Sequence, residues 1–427
     1  MRILFLVILL PYCWFCQAQT DLEKSLFLLD DVIFTKIETP EGYDSAYKLM
    51  IRQPLDHASP DKGHFYQKAY LSHRNTKAPT VIITEGYNRD SNRIYELTEL
   101  LDGNQIDVEH RFYGESIPDS LEYQYLNLEQ ATADLHRINQ LFKKIYDGKW
   151  LSTGISKGGQ TTIFYRYFFP EDVDVSVPYV APLNIELEET RIYDFLDTIG
   201  TDECRKKIYD VQYKILKNRD GSLRAMKWFA KGANLDFEYL TFEEAFEYSV
   251  LEYPFSFWQW GGKCEDIPDE NATLDEVLDH FTDISDIGFF SDRDMSVYAS
   301  HYYQAGSQMG YYSYETKEFK DLLKALPTDS NPTAVFMPDK MPINFNNSLP
   351  LKVNEWIKDH GDEFIYINGA NDTWSATSVK PNKARKAVWF NLEGKDHGQA
   401  RIKNMTESEK DLLEATLEEW LDIEIED

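Results

Sequence analysis

The chain has 427 residues, 44 basic and 73 acidic, and a formal net charge of −29. Hydrophobic residues at 42% and aromatics at 14% supply a core and exclude a disordered polyacid. So large an acid excess repels phosphate backbones and anionic bilayers, which argues against nucleic acid as a partner.

Met1 and Arg2 precede an apolar run, Ile3 to Leu10, then Pro11 and a polar exit through Ala18. One positive charge, a short apolar stretch and a small exit residue predict a secretory signal over 1–18. The run is too short to span a membrane. The expected location is therefore secreted or periplasmic. Cys16 opens a lipoprotein alternative, disfavoured because Phe15 stands where a small residue is usual. Cys204 and Cys264 remain beyond the signal, and two leftover cysteines in an exported chain are expected to pair. Such a bridge closes a loop of about 60 residues and contributes ~4 kcal/mol in the chain-entropy model. No cysteine pair has zinc-ligand spacing, and the nine histidines are scattered without a His-Glu-x-x-His pattern. Neither a metal nor a cofactor is expected.

In chain order, Thr80 to Thr84 is a β-branched run closed by Gly86 and reads as a buried strand. Gln105 to Arg111 is a second strand; within it Glu109-His110-Arg111 reads as structural, with Arg111 pairing a buried acid. Leu128 to Ile145 has helical apolar spacing. Trp150 to Thr153 is a strand, Gln160 to Phe169 a helix stopped by Pro170, and Val175 to Val180 a strand. The pattern returns at Glu363–Ile367 and Ala387–Leu392, and a last helix begins after Thr406, with Glu409 at capping-box spacing. This alternation predicts an α/β fold with a mostly parallel sheet and helices on both faces.

The middle differs. Residues 183–330 hold 30 acidic and 15 basic residues, with few strand patterns and an aromatic concentration from Phe246 to Tyr314. They read as a helical cap inserted between the two halves, 19–182 and 331–427, of one α/β-hydrolase domain.

Gly154-Ile155-Ser156-Lys157-Gly158 lies between a predicted strand and a predicted helix. This is the context of a nucleophile elbow, where glycines flank the serine because side chains there would clash. Ser156 is the expected nucleophile. The Lys157 N–H and a second donor near Gly86 and Tyr87 are the expected oxyanion hole. The Lys157 side chain reads as a structural or surface charge, not a base. On this fold the acid and the base follow in the order Asp, His at late strand ends. Asp372, after the Phe364–Ile367 run, and His397, after Ala387–Leu392, fill those places. His301, His360 and Asp396 are the competitors; the two histidines read as ordinary hydrogen-bonded or surface residues. A sequence neighbour such as Asp396 rarely aims its carboxylate at the next ring.

These segments resemble the bacterial secreted tripeptidyl aminopeptidase family of serine peptidases, distant kin of prolyl carboxypeptidase and dipeptidyl peptidase. The resemblance runs through Gly103–Ile106, Val108–Phe112, Ser152–Gly159, Pro170–Asp174 and Tyr179–Pro182. It continues through Cys204-Arg205, Pro254–Gln259 and Tyr302–Ala305. It covers roughly residues 45 to 420 and implies an exopeptidase that releases short peptides from free N-termini, with Ser156, Asp372 and His397 as its triad. The expected partners are peptides with a free N-terminus; the oligomeric state is left open.

Cutting at a fixed distance from an α-ammonium needs a counter-charge. Glu252, beside Phe255-Ser256-Phe257-Trp258 in the acidic, aromatic middle, is the candidate, against the plainer reading of a helix-surface glutamate. Two other functions fit the same motifs. A secreted carboxylic-ester hydrolase would ignore a blocked substrate N-terminus, and a non-catalytic peptide-binding protein would not label with a fluorophosphonate.

Overall fold

The computed structural model describes residues 20–425. The signal expected over 1–18, with Cys16, lies outside the described residues. The strands are β1 (Val32–Lys36), β2 (Ser45–Pro54), β3 (His64–His73), β4 (Thr80–Thr84), β5 (Asn104–Val108), β6 (Trp150–Ile155), β7 (Val175–Tyr179), β8 (Phe364–Gly369) and β9 (Ala387–Leu392). They form one sheet in the order β1-β2-β3-β5-β4-β6-β7-β8-β9. The strands from β5 to β9 in that order run parallel, and they are the six expected from the sequence.

The first three strands are antiparallel, and β3 joins β5 antiparallel. The sequence reading did not anticipate them, because their buried faces are partly polar. Gln53 donates to Gln67 at 2.9 Å inside the sheet, and Lys68 pairs with Glu109 at 2.9 Å. β5 also stops at Val108, three residues before the expected end. The Glu109 carboxylate accepts the backbone N–H groups of Arg89, Glu115 and Ser116, which turns the chain out of the ladder.

Period-2 alternation places helices on both faces. Val81 and Ile83 of β4 pack in one cluster with Leu413 and Leu417 of the Glu407–Leu421 helix. Ile82, between them, packs with Ile138 and Phe142 of the Leu128–Phe142 helix. Between β7 and β8 the described elements are helical, from Arg191–Thr198 through Ser348–His360. Their apolar cluster runs from Ile192 to Met337 and takes in Trp374 and Ala376 from the loop after β8. Cys204 and Cys264 are bonded, with Cα atoms 5.3 Å apart.

The Phe242–Gln259 helix runs through Pro254. Proline removes the hydrogen bond to the carbonyl four residues back. That carbonyl, Val250, accepts instead from the Gln212 side chain at 2.8 Å. The helix therefore stays continuous from Glu252 to Gln259, a stretch that matters below.

Arg111 pairs with a buried acid, as expected: its Nε and Nη2 donate to Asp134 at 2.7 and 2.8 Å. Nη1 donates to the carbonyls of Leu55 and Tyr125. Both side chains are fully buried. Arg111→Ala leaves Asp134 buried without this partner and is expected to cost ~3–5 kcal/mol in urea denaturation. A loss within the error of the measurement would contradict this account of the pair.

Candidate active site

β6 delivers Ser156 to a turn in which its φ is +59° and ψ −122°. Non-glycine residues rarely adopt this region, so surrounding packing must hold it. The Ser156 N–H donates to the Tyr179 carbonyl at 2.9 Å. A Cβ on Gly154 would lie 2.6 Å from the Thr84 carbonyl oxygen, one on Gly158 2.5 Å from the same atom, and one on Gly159 2.8 Å from the Tyr179 oxygen. The motif glycines are thus required by backbone approaching backbone. The Lys157–Phe168 helix follows at once.

The loop after β4 lies against this turn. A Cβ on Gly86 would be 2.7 Å from Lys157 Cβ and 2.8 Å from Gly158 N. The backbone N–H groups of Lys157 and Tyr87 have no acceptor among the described residues. Lys157 and Tyr87 line the same cavity as Ser156. The Lys157 side chain is not on the surface, as one reading of the sequence allowed. It is buried, and its Nζ donates to the Gly86 carbonyl.

His397 Nδ1 lies 2.8 Å from Asp372 Oδ2. The other Asp372 oxygen accepts the Trp374 N–H at 3.1 Å, which fixes the carboxylate plane. Both residues are buried. The Phe242–Gln259 helix braces both loops: Thr373 Oγ1 donates to the Phe255 carbonyl at 2.9 Å, and the His397 N–H donates to the Gln259 carbonyl at 3.1 Å. Ser156 and His397 share one cavity of ≈ 620 Å³. Asp396 does not orient His397; its carboxylate accepts the N–H groups of Gly398 and Gln399. His360 is exposed and outside the cavity. His301, by contrast, lines the cavity in an aromatic setting, and burial with the nearby Lys157 pulls its pKa down to about 3. It is a neutral wall at any working pH.

Glu252 lines this cavity too and is 4% exposed, so it is no helix-surface glutamate. Its carboxylate accepts from Ser256 Oγ at 2.7 Å, Tyr312 OH at 2.9 Å and Tyr314 OH at 2.7 Å. Burial pushes its pKa up to about 7, against the three hydroxyl donors, and no cation among the described residues acts on it. Phe255 and Trp374 complete the aromatic surround, with Phe255 stacked on Tyr312 at 4.1 Å and Trp374 5.6 Å from the same ring. Tyr312, Tyr314 and Trp374 were not singled out as site residues from the sequence. The Tyr311-Tyr312-Ser313-Tyr314 cluster was visible there, but not the carboxylate it faces. The arrangement places a serine hydroxyl, an imidazole–carboxylate pair, two N–H donors without an acceptor among the described residues and a carboxylate without a cation among them around one space.

The family model described as PS-10 peptidase S37 matches residues 21–424. A prolyl tri/tetrapeptidyl aminopeptidase of Streptomyces mobaraensis is 32% identical over 411 residues, covering 94% of this chain and 85% of that protein. A putative serine protease of Caenorhabditis elegans is 24% identical over 206 residues, covering 42% of this chain and 40% of its own. Among solved structures, proline iminopeptidase from Mycobacterium smegmatis aligns with a TM-score of 0.43 at 11% identity, over 87% of this chain and 98% of that one.

Glu252 makes a pH prediction. Its folded pKa of about 7 stands above the ordinary 4.5. Between those values the folded state binds more protons than the unfolded one, so stability falls as pH rises through that window and levels off above it. Relative to Glu252→Gln, the wild type is expected to lose ~3 kcal/mol between the two ends of the window, read from urea midpoints. Parallel pH curves for the two proteins would contradict this.

Proposed function

The chain belongs to the PS-10 peptidase S37 family, and on that premise we propose that it removes short peptides, tripeptides foremost, from free N-termini through an acyl-enzyme. The observation that carries this reading is Glu252. It is a buried carboxylate with hydroxyl donors and, among the described residues, no cation, in the cavity that also holds Ser156. A substrate α-ammonium is the missing counter-charge. Once it is anchored there, the chain length between anchor and nucleophile sets where the cut falls.

In this reading Ser156 Oγ attacks the scissile carbonyl. His397 donates through Nδ1 to Asp372, which leaves Nε2 to accept the serine proton. The N–H groups of Lys157 and Tyr87 receive the oxyanion, and His397 then passes its proton to the leaving amine. Water attacks the acyl-enzyme by the same route in reverse. The helical segment over 183–330 is read as a cap that supplies the amine site and closes the cavity against long-chain interiors. The Cys204–Cys264 bond supports an exported chain.

Loss of one charged hydrogen bond costs ~1.5–3 kcal/mol, so Glu252→Gln should raise KM for free-amine peptides by about ten- to a hundredfold. N-acetylated peptides should be poor substrates for both proteins. Ser156→Ala should abolish turnover and fluorophosphonate labelling together. An unchanged KM in Glu252→Gln would remove the amine site from the account. Wild-type hydrolysis of acyl esters with indifference to N-acetylation would replace the exopeptidase reading with an esterase.

A further inference from the structure

The Lys157 side chain takes no part in the proton transfers above, yet it is buried beside the nucleophile. Its Nζ donates to the Gly86 carbonyl at 2.5 Å and lies 5.2 and 4.9 Å from the ring centres of Tyr87 and Tyr113. Burial pushes its pKa well below the ordinary lysine value, and no acid among the described residues opposes the shift. An amine kept in such surroundings without a carboxylate is costly to fold, which calls for a reason.

The Gly86 carbonyl and the Tyr87 N–H belong to one peptide unit. In a planar trans peptide these two groups point in opposite directions. Holding the carbonyl toward Lys157 therefore fixes the direction of the N–H. That N–H has no acceptor among the described residues, and Tyr87 lines the Ser156 cavity. Gly86 is also pressed against the Lys157 and Gly158 backbone so closely that no Cβ fits.

We propose that the Lys157 side chain is a positioning residue for the oxyanion hole: it clamps and polarises the Gly86–Tyr87 peptide so that the Tyr87 N–H meets the developing oxyanion. One residue then serves the hole twice, with its own N–H and, through its amine, with the orientation of the second donor. A donor on the carbonyl strengthens the N–H at the other end of the same peptide by cooperative polarisation. The aromatic walls of Tyr87 and Tyr113 keep water from competing for the Gly86 carbonyl. The inference rests on Ser156 being the nucleophile of the proposed function.

Lys157→Met removes the donor and keeps a linear side chain. It should lower kcat on a tripeptide amide about a hundredfold, as loss of one oxyanion donor does. KM and the affinity for the tripeptide product should stay within about twofold, because the clamp acts in the transition state. Binding of a peptide aldehyde, which forms a tetrahedral adduct, should weaken in step with kcat. The rate of Ser156 phosphonylation by a small fluorophosphonate should fall as well. Phosphonylation needs no peptide, so this arm holds even where the exopeptidase reading fails. A wild-type kcat or a wild-type phosphonylation rate in Lys157→Met would overturn the proposal. So would an equal loss of product affinity and kcat, which marks collapse of the whole site. If Lys157→Met does not fold, Lys157→Gln, too short to reach Gly86, is held to the same split between kcat and product affinity.

Discussion

The catalytic end of this molecule depends on backbone packed against backbone at the β6 turn. Ser156 occupies a left-handed conformation that costs a non-glycine residue of order 1–3 kcal/mol. The turn is held because Gly154, Gly158 and Gly159 let it sit against Thr84 and Tyr179 with no intervening side chain. Gly86 extends the same contact to the loop after β4. Widening any of these contacts by one methyl group would shift the serine and its N–H donors at once. The proposed nucleophile and the proposed oxyanion donors are therefore coupled through one close-packed junction, and the Lys157 amine ties that junction from inside.

A second constraint comes from charge. Much of the acid excess belongs to the segment between β7 and β8, and most acids there are solvated. Glu252 is the exception that bears on the proposed function, because its carboxylate is buried in the cavity with no cation among the described residues. It sits on the helix that also braces the Asp372 and His397 loops through the carbonyls of Phe255 and Gln259. The proposed amine anchor and the loops of Asp372 and His397 thus share one helix, in which the Val250 carbonyl left free by Pro254 accepts from the Gln212 side chain. In the proposed function this shared helix is what turns an anchored N-terminus into a fixed cutting distance.

Much of this was legible in the sequence, for identifiable reasons. The elbow is a local pattern, since the glycines and the serine are neighbours in sequence as well as space. Asp372 and His397 stand at the ends of apolar runs that could be read as strands, and chain order assigned them. The parallel strands β4, β7 and β8 announced themselves as short apolar runs because both their faces are buried. The antiparallel strands β2 and β3 did not, because Gln53, Gln67 and Lys68 are buried there by hydrogen bonds to distant partners. For Lys157 the sequence left a structural and a surface charge both open, for the same reason. A lysine reads as surface, and the carbonyl that holds it inside lies 71 residues upstream. Glu252 could be suspected from its aromatic neighbours, but its tyrosine donors come from about sixty residues later, beyond any local pattern.

The central claim is that one cavity joins an amine anchor to the nucleophile at a fixed separation. Time-resolved mass spectrometry of a long, unstructured peptide, with and without N-terminal acetylation, tests it most directly. The account predicts successive release of short fragments of one size class from the free N-terminus, and no release from the acetylated peptide. Cleavage at interior bonds, or equal cleavage of the acetylated peptide, would contradict it.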